Sequence, residues 1–285
     1  MESIKELLEL LDLERIEENL FRGQNFKTPW GRVFGGQVLA QAIHAAYETV
    51  PKDRYLHSLH CYFILAGDPD QPIIYDVERI RDGGSFTTRR IVAIQKGRPI
   101  FNSSASFQLK QDGFSHQIEM PVVPGPGELL SSDEKKARFK ETDPKLFKRI
   151  YHPRPIEFRD VEALDYKNPT NRPPFRHVWL KSKGEMPDDL RWHQEVLAYA
   201  SDYNLLSTAS FPHSAEMAKG RTFYASLDHA MWFHRDFRMD DWLLYAMDSP
   251  SASSSRGFGR GNVFDNAGRL VSSVVQEGLM RFKPA

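Results

Sequence analysis

Several residues in this 285-residue chain are of types that can do chemistry. Asp202, in Ser201-Asp202-Tyr203, is a carboxylate that can act as a general base or simply cap a helix end. Ser226 opens Ser226-Leu227-Asp228-His229, and taken alone it is an ordinary strand serine. Gln276 lies in an alternating segment, where an amide is usually solvated. Asp228 is a second candidate acid, with His229 and His234 beside it. His57, His60 and Cys61 are metal-binding types, but strand alternation turns them to different faces, so a shared ion is not expected. Arg79, Arg81, Arg89 and Arg90 flank Asp82-Gly83-Gly84-Ser85, a basic turn able to receive phosphate groups; the plain alternative is a hairpin with solvated charges. Gly257-Phe258-Gly259-Arg260-Gly261 lacks the dinucleotide spacing, and the absence of Gly-x-Ser-x-Gly removes the main signature of a nucleophile-elbow hydrolase.

Composition narrows the partners. Lys plus Arg (38) balances Asp plus Glu (38), so no global basic field draws nucleic acid or anionic lipid. Apolar residues make up 40% and include 19 Phe, enough for a substantial core. The single cysteine, Cys61, cannot form an intramolecular disulfide, which fits a reducing compartment. The acidic N-terminus does not read as a secretory signal, no apolar run is long enough to span a membrane, and the last residues are not Ser-Lys-Leu. The expectation is a cytoplasmic protein with neither membrane nor nucleic-acid partners.

The elements that must position these residues come in a repeated order. Ser3 and Glu6 have capping-box spacing, and Ile4, Leu7, Leu8 and Leu11 predict an amphipathic helix from residue 3 to about 19. Gln37 to Val50, rich in small residues, predicts a buried helix. Strands follow over Leu59 to Leu65, Ile73 to Ile80, Phe86 to Gln95 and Ile100 to Leu109. Residues 121–174 hold nine of the 18 prolines and a charged helix near Ser132 to Lys140, and read as a long covering connection. The second half repeats the pattern: a helical stretch from Leu190 to about Phe211, then strands over Thr222 to Arg235, Asp241 to Met247, Arg256 to Phe264 and Arg269 to Phe282. Ser58, Ser104 and Gln108 match Ser226, Ser272 and Gln276 at one offset (226 − 58 = 168), and Ile73-Ile74-Tyr75 matches Leu243-Leu244-Tyr245 at 243 − 73 = 170. The chain is therefore read as an α+β duplication: repeat 1–120, connection 121–174 and repeat 175–285. Each repeat wraps an antiparallel sheet around a helix. The N–H groups at the helix start, around Gly35 and Gly36, face outward as donors for a bound carbonyl or anion.

Phe34-Gly-Gly-Gln-Val-Leu-Ala-Gln41, Leu197-Ala-Tyr-Ala-Ser-Asp202, Leu227-Asp-His-Ala-Met-Trp-Phe-His234 and Val275-Gln-Glu-Gly278 together resemble the signatures of the acyl-CoA thioesterase II family, over nearly the whole chain. The resemblance implies two tandem hotdog folds, the double hotdog, and hydrolysis of fatty acyl-CoA to free acid and coenzyme A. It implies that Asp202, Ser226 and Gln276 position and activate the water. Ser226 stands where several members carry Thr. Gly35 and Gly36, with Arg89 and Arg90 for the phosphates, are the expected substrate contacts. No metal or redox cofactor is implied, and the family suggests a homo-oligomer, most simply a homodimer. Gln108 has no acidic companion in the first repeat, so one active site per chain is expected. The rivals are a hotdog enoyl-CoA hydratase, which would want a His beside the helix start, and a silent acyl-CoA binding or sensing module.

Overall fold

A computed structural model describes residues 1–162 and 164–284. The first half contains α1 (Ile4–Leu11), β1 (Glu14–Glu17), β2 (Leu20–Gly23), α2 (Gly35–Tyr47), β3 (Arg54–Phe63), β4 (Ile73–Asp82), β5 (Phe86–Gln95) and β6 (Arg98–Leu109). The connection carries α3 (Ser132–Ala137), α4 (Phe139–Thr142) and α5 (Pro144–Ile150). There follow β7 (Ile156–Asp160), β8 (Phe175–Ser182), α6 (Leu190–Ser201), α7 (Leu205–Thr208), α8 (Ser214–Met217), β9 (Gly220–Ser226), β10 (Asp228–Phe233), β11 (Leu243–Ser253), β12 (Arg256–Asp265) and β13 (Leu270–Pro284).

The strands join into one antiparallel sheet in the order β1-β2-β4-β5-β6-β3-β10-β13-β12-β11-β8-β7, with β9 also on β13. The two ends of that order mirror each other across the β3–β10 seam, so two tandem hotdog units share a sheet. Alternating strands bury one face against the helices and leave the other outward. α2 is buried nearly all round, which a small-residue helix tolerates because the sheet covers one side and α6 the other. The two helices run antiparallel. The start of α2 meets the end of α6 through Gly36 and Asp202, while the end of α2 meets the start of α6 through Tyr47 and Gln194.

The differences from the sequence expectations have local causes. The capping box at Ser3 and Glu6 forms, but α1 stops at Leu11. Residues 14–23 instead make a hairpin whose β2 pairs with β4, so satisfying an open sheet edge overrides helical spacing. β7, inside the expected connection, pairs with β8 and occupies the place that β1 holds in the first half, so the second sheet begins before residue 175. The strand expected from Thr222 to Arg235 is interrupted at Leu227. The ladders also correct the repeat register. Tyr75 pairs with Ala93 and Tyr245 with Val263, an offset of 245 − 75 = 170. Leu56 pairs with Phe107 and Ser226 with Gly278, which gives 226 − 56 = 170 and 278 − 107 = 171. The matches at 168 are therefore two or three residues out of register. The counterpart of Ser226 is Leu56, and that of Gln276 is Ala105.

Candidate active site

Asp202 caps the C-terminal end of α6, and Asn204, two residues later, takes a left-handed conformation (φ 73°) that turns the chain into α7. Asn tolerates that region better than most residues because its short polar side chain bonds locally. α7 then lies on the inner face of β12, where a Cβ at Gly259 would sit 3.0 Å from the Leu205 carbonyl oxygen. Gly257 and Gly259 are thus a bed for the turn that presents Asp202, whereas Gly261 makes room for Tyr245.

Ser226 and Gln276 reach the same point from neighbouring strands. Ser226 pairs with Gly278 but Ala230 with Val275, so four steps on one strand oppose three on the other: a β-bulge around Leu227. Without it, Ser226 and Asp228 would share a face. With it, Asp228 pairs beside Tyr62 on the outward face, and its Oδ1 accepts the Glu277 N–H at 2.6 Å, while His229 turns inward. The candidate second acid thereby serves the bulge.

The three sequence-nominated groups converge. Gln276 Nε2 donates to Asp202 Oδ1 at 2.7 Å and lies 2.9 Å from Ser226 Oγ, which donates to the same Oδ1 at 3.1 Å. Asp202 Oδ2 accepts the Gly36 N–H at 2.9 Å, so the carboxylate is seated on the positive end of α2. Gly36 must lack a side chain, since a Cβ there would fall 2.4 Å from the Tyr199 carbonyl oxygen. Gln276 is fully buried, and its Oε1 has no hydrogen-bond partner among the described residues.

Behind this cluster the end of α6 is pinned by His229, which the sequence placed beside the candidate acid Asp228 without giving it a role, and by Tyr245, which the sequence did not single out as a site residue. His229 Nε2 lies 3.0 Å from Ser201 Oγ, and the Tyr245 hydroxyl donates to the Ser201 carbonyl at 3.3 Å. Burial depresses the His229 pKa to about 4 against the opposing pull of the Asp202 carboxylate, so the imidazole is neutral near pH 7. Burial, followed by the Asp202 and Asp228 charges, pushes the Cys61 thiol well above its ordinary value. That makes it a packing group rather than a nucleophile. The advance signal for His229 was its place beside Asp228 inside the Leu227–His234 segment.

A cavity of about 410 Å³ opens onto the cluster. Val33, Phe34, Val38, Phe63, Ile100 and Phe101 make it apolar, while Gly35, Asp202 and Ser226 line its polar end. Neither expected phosphate-binding arginine reaches it. Arg89 is buried against the opposite end of α2, a 13-residue helix about 20 Å long. There it donates to the Thr49 hydroxyl and carbonyl, each at 2.9 Å, and to Asp82 at 2.6 Å. Arg90 points outward and pairs with Glu78 at 3.3 Å. Of the two arginines expected to meet the phosphates, the structure thus seals Arg89 into a helix-capping role and sets Arg90 on the outer sheet face, away from the cavity lining.

Comparison with known proteins gives the same picture over the whole chain. The family profile described as "Acyl-CoA thioesterase" matches residues 160–279, and that described as "Acyl-CoA thioesterase N-terminal domain" matches residues 26–108. The human protein named acyl-coenzyme A thioesterase 8 is 41% identical, with 96% of this chain and 88% of that protein covered. Acyl-CoA thioesterase 2 of Haemophilus influenzae is 39% identical, with 98% of each covered. The crystal structure of an acyl-CoA thioesterase II from Mycobacterium marinum superimposes with a TM-score of 0.80 at 40% identity, covering 97% of this chain and 98% of that one. With both halves matched in order and near-complete relatives at this identity, the chain belongs to the acyl-CoA thioesterase II family.

Proposed function

We propose that this protein hydrolyses fatty acyl-CoA by direct attack of water, with Asp202 as general base and Ser226 and Gln276 orienting the water. The carrying observation is that all three groups meet in one hydrogen-bonded cluster, of which Asp202 and Ser226 line the polar end of an apolar cavity while Gln276 holds both from behind. Asp202 Oδ2 accepts a single hydrogen bond among the described residues, leaving a lone pair for a water proton. Gln276 Oε1 is a buried acceptor without a protein partner, and a water hydrogen would relieve a cost of about 1–3 kcal/mol.

In the reaction the water oxygen bonds to the thioester carbonyl carbon as its proton passes to Asp202, and the carbonyl π electrons move onto oxygen. Gly36 N–H is spent on the base, whereas Gly35 N–H makes no hydrogen bond among the described residues and lies at the cavity wall. We assign Gly35 N–H to the developing oxyanion, where one such donor is worth about 2.7–4 kcal/mol. Collapse breaks the C–S bond. The thiolate, whose conjugate acid has a pKa of about 8.5 for a Cys-like thiol, leaves with little assistance and regains a proton from Asp202 or solvent. Carboxylic acid and coenzyme A are the products.

No described helix is long and apolar enough to cross a membrane. We place the enzyme in the cytoplasm on its single, buried Cys61, and as a homodimer on the exposed Tyr62, Ile64 and Leu65 at the end of β3. Palmitoyl-CoA with a thiol reagent tests the activity directly. Thiol release is the expected result; loss of enoyl absorbance from an enoyl-CoA without thiol release would point to hydration, and binding with neither signal to a sensor.

A further inference from the structure

Among the residues lining the cavity only Asp202 and Arg32 carry formal charge. The first is placed by the reaction, and the second has no such account. Arg32 is partly exposed and sits three residues before Gly35, so at most about 10 Å of backbone separates it from the polar end of the cavity. Its guanidinium lies over the Phe223 ring, 5.0 Å from the centroid, and one Nη2 hydrogen goes to the Tyr224 carbonyl oxygen. It makes no ion pair with a carboxylate among the described residues. A guanidinium carries five donors in a rigid fork, so a single carbonyl leaves most of them free. The stacked ring and the carbonyl fix the direction of the fork beforehand, which lowers the entropic cost of receiving an anion. Unlike Arg89 and Arg90, this cation is not neutralised by Asp or Glu. Trp30, 44% exposed, lines the same rim.

We propose that Arg32 is a specificity-determining residue that binds a phosphate of the coenzyme A moiety while the thioester lies at Asp202. The inference rests on the thioesterase reading above and adds the group that distinguishes a coenzyme A ester from a phosphate-free thioester. The pantetheine arm separates thioester sulfur from diphosphate, and Arg32 stands away from Gly35 by three residues and the length of its own side chain. A charge-assisted contact at this partly screened rim corresponds to a KM effect of about 10- to 100-fold.

The test compares two substrates of the same acyl group, the coenzyme A ester and the S-acyl-pantetheine, which lacks the nucleotide and its phosphates. Arg32→Ala is expected to raise KM for the coenzyme A ester by about 10- to 100-fold with kcat nearly unchanged, and to leave both parameters for the pantetheine ester at wild-type values. Arg32→Lys, retaining charge but not the fork, should fall between. Equal losses on both substrates would mean that Arg32 is only a strut between the residue 28–34 segment and β9, and would overturn the proposal; so would no loss on either. Failure of the wild-type protein to hydrolyse the pantetheine ester and the coenzyme A ester alike would instead overturn the thioesterase reading.

Discussion

Asp202→Asn removes the proposed base while keeping nearly the same volume. The carboxylate accepts from Gly36, Ser226 and Gln276. A carboxamide has one oxygen for those donors and introduces an NH₂ among them, so at least one donor loses its acceptor: Gly36 in one orientation, Ser226 and Gln276 in the other. Loss of general-base catalysis costs about 10²- to 10⁴-fold, or roughly 3–5 kcal/mol of barrier. Because the amide also disturbs the seat on α2, we expect about 10³-fold, in the middle of that range. Initial rates of thiol release at saturating acyl-CoA measure it, and a denaturant melt separates it from unfolding, since one orphaned buried donor costs only about 1–3 kcal/mol. The three groups share hydrogen bonds, so adding Ser226→Ala and Gln276→Ala to Asp202→Asn should reduce the rate by less than about tenfold further. A folded Asp202→Asn protein turning over within tenfold of wild type would refute the base assignment.

Three further outcomes separate catalytic from structural groups. Asp228→Asn should keep kcat/KM within about threefold, because its carboxylate faces outward and an amide oxygen can still accept the Glu277 N–H; a hundredfold loss would restore it as a second acid. Arg89→Ala should destabilise the fold by about 2–4 kcal/mol through a buried void and orphaned Thr49 groups, with KM unchanged, as unfolding and steady-state kinetics would report. His229 takes up its proton near 6.5 in the unfolded chain but only near pH 4 when folded. Its contribution is therefore complete above about pH 6.5 and is lost as pH falls toward 4, at about 1.4 kcal/mol per unit and about 3 kcal/mol in all. Denaturant unfolding from pH 7 to 4 should show that slope, and His229→Gln should reduce it by one proton.

The parts of the fold that the sequence revealed are those governed by local chemistry. The capping box at Ser3, the small-residue helix at Gly35–Tyr47 and the strand Phe86–Gln95 form where their residues predict them. Asp202, Ser226 and Gln276 were nominated through the motifs that carry them, and they do meet. What escaped depends on counting across strands. A bulge at Leu227 changes which of Asp228 and His229 faces inward, and side-chain alternation read from residue types cannot reveal one inserted residue. Arg89 and Arg90 looked equivalent beside the Asp82-Gly-Gly turn, yet adjacent strand residues face opposite sides: one is sealed against α2 and the other is solvated. Arg32 drew no notice because neither phosphate-motif nor metal-ligand spacing surrounds it. Its significance comes from Phe223 and Tyr224, contributed from the other half of the chain.

The corrected register also explains why a duplicated chain forms one such cluster. At the positions related to the site by the repeat, Ser226 is answered by Leu56, Gln276 by Ala105 and Gly278 by Phe107. All three first-half residues are buried. The Tyr47 hydroxyl, at the end of α2, accepts the Leu56 N–H at 2.7 Å and bonds to Gln194, whose amide returns to the Leu56 carbonyl at 2.8 Å. Tyr47 and Phe107 meet edge to face with centroids 5.0 Å apart. The buried amide whose Oε1 lacks a protein partner in the second half, Gln276, is answered here by Ala105, which has no polar side-chain atom to satisfy. A catalytic cavity forgoes packing and leaves polar atoms without protein partners, both of which destabilise a fold. In a double unit that cost is needed at only one of two related places, and the other is packed as core.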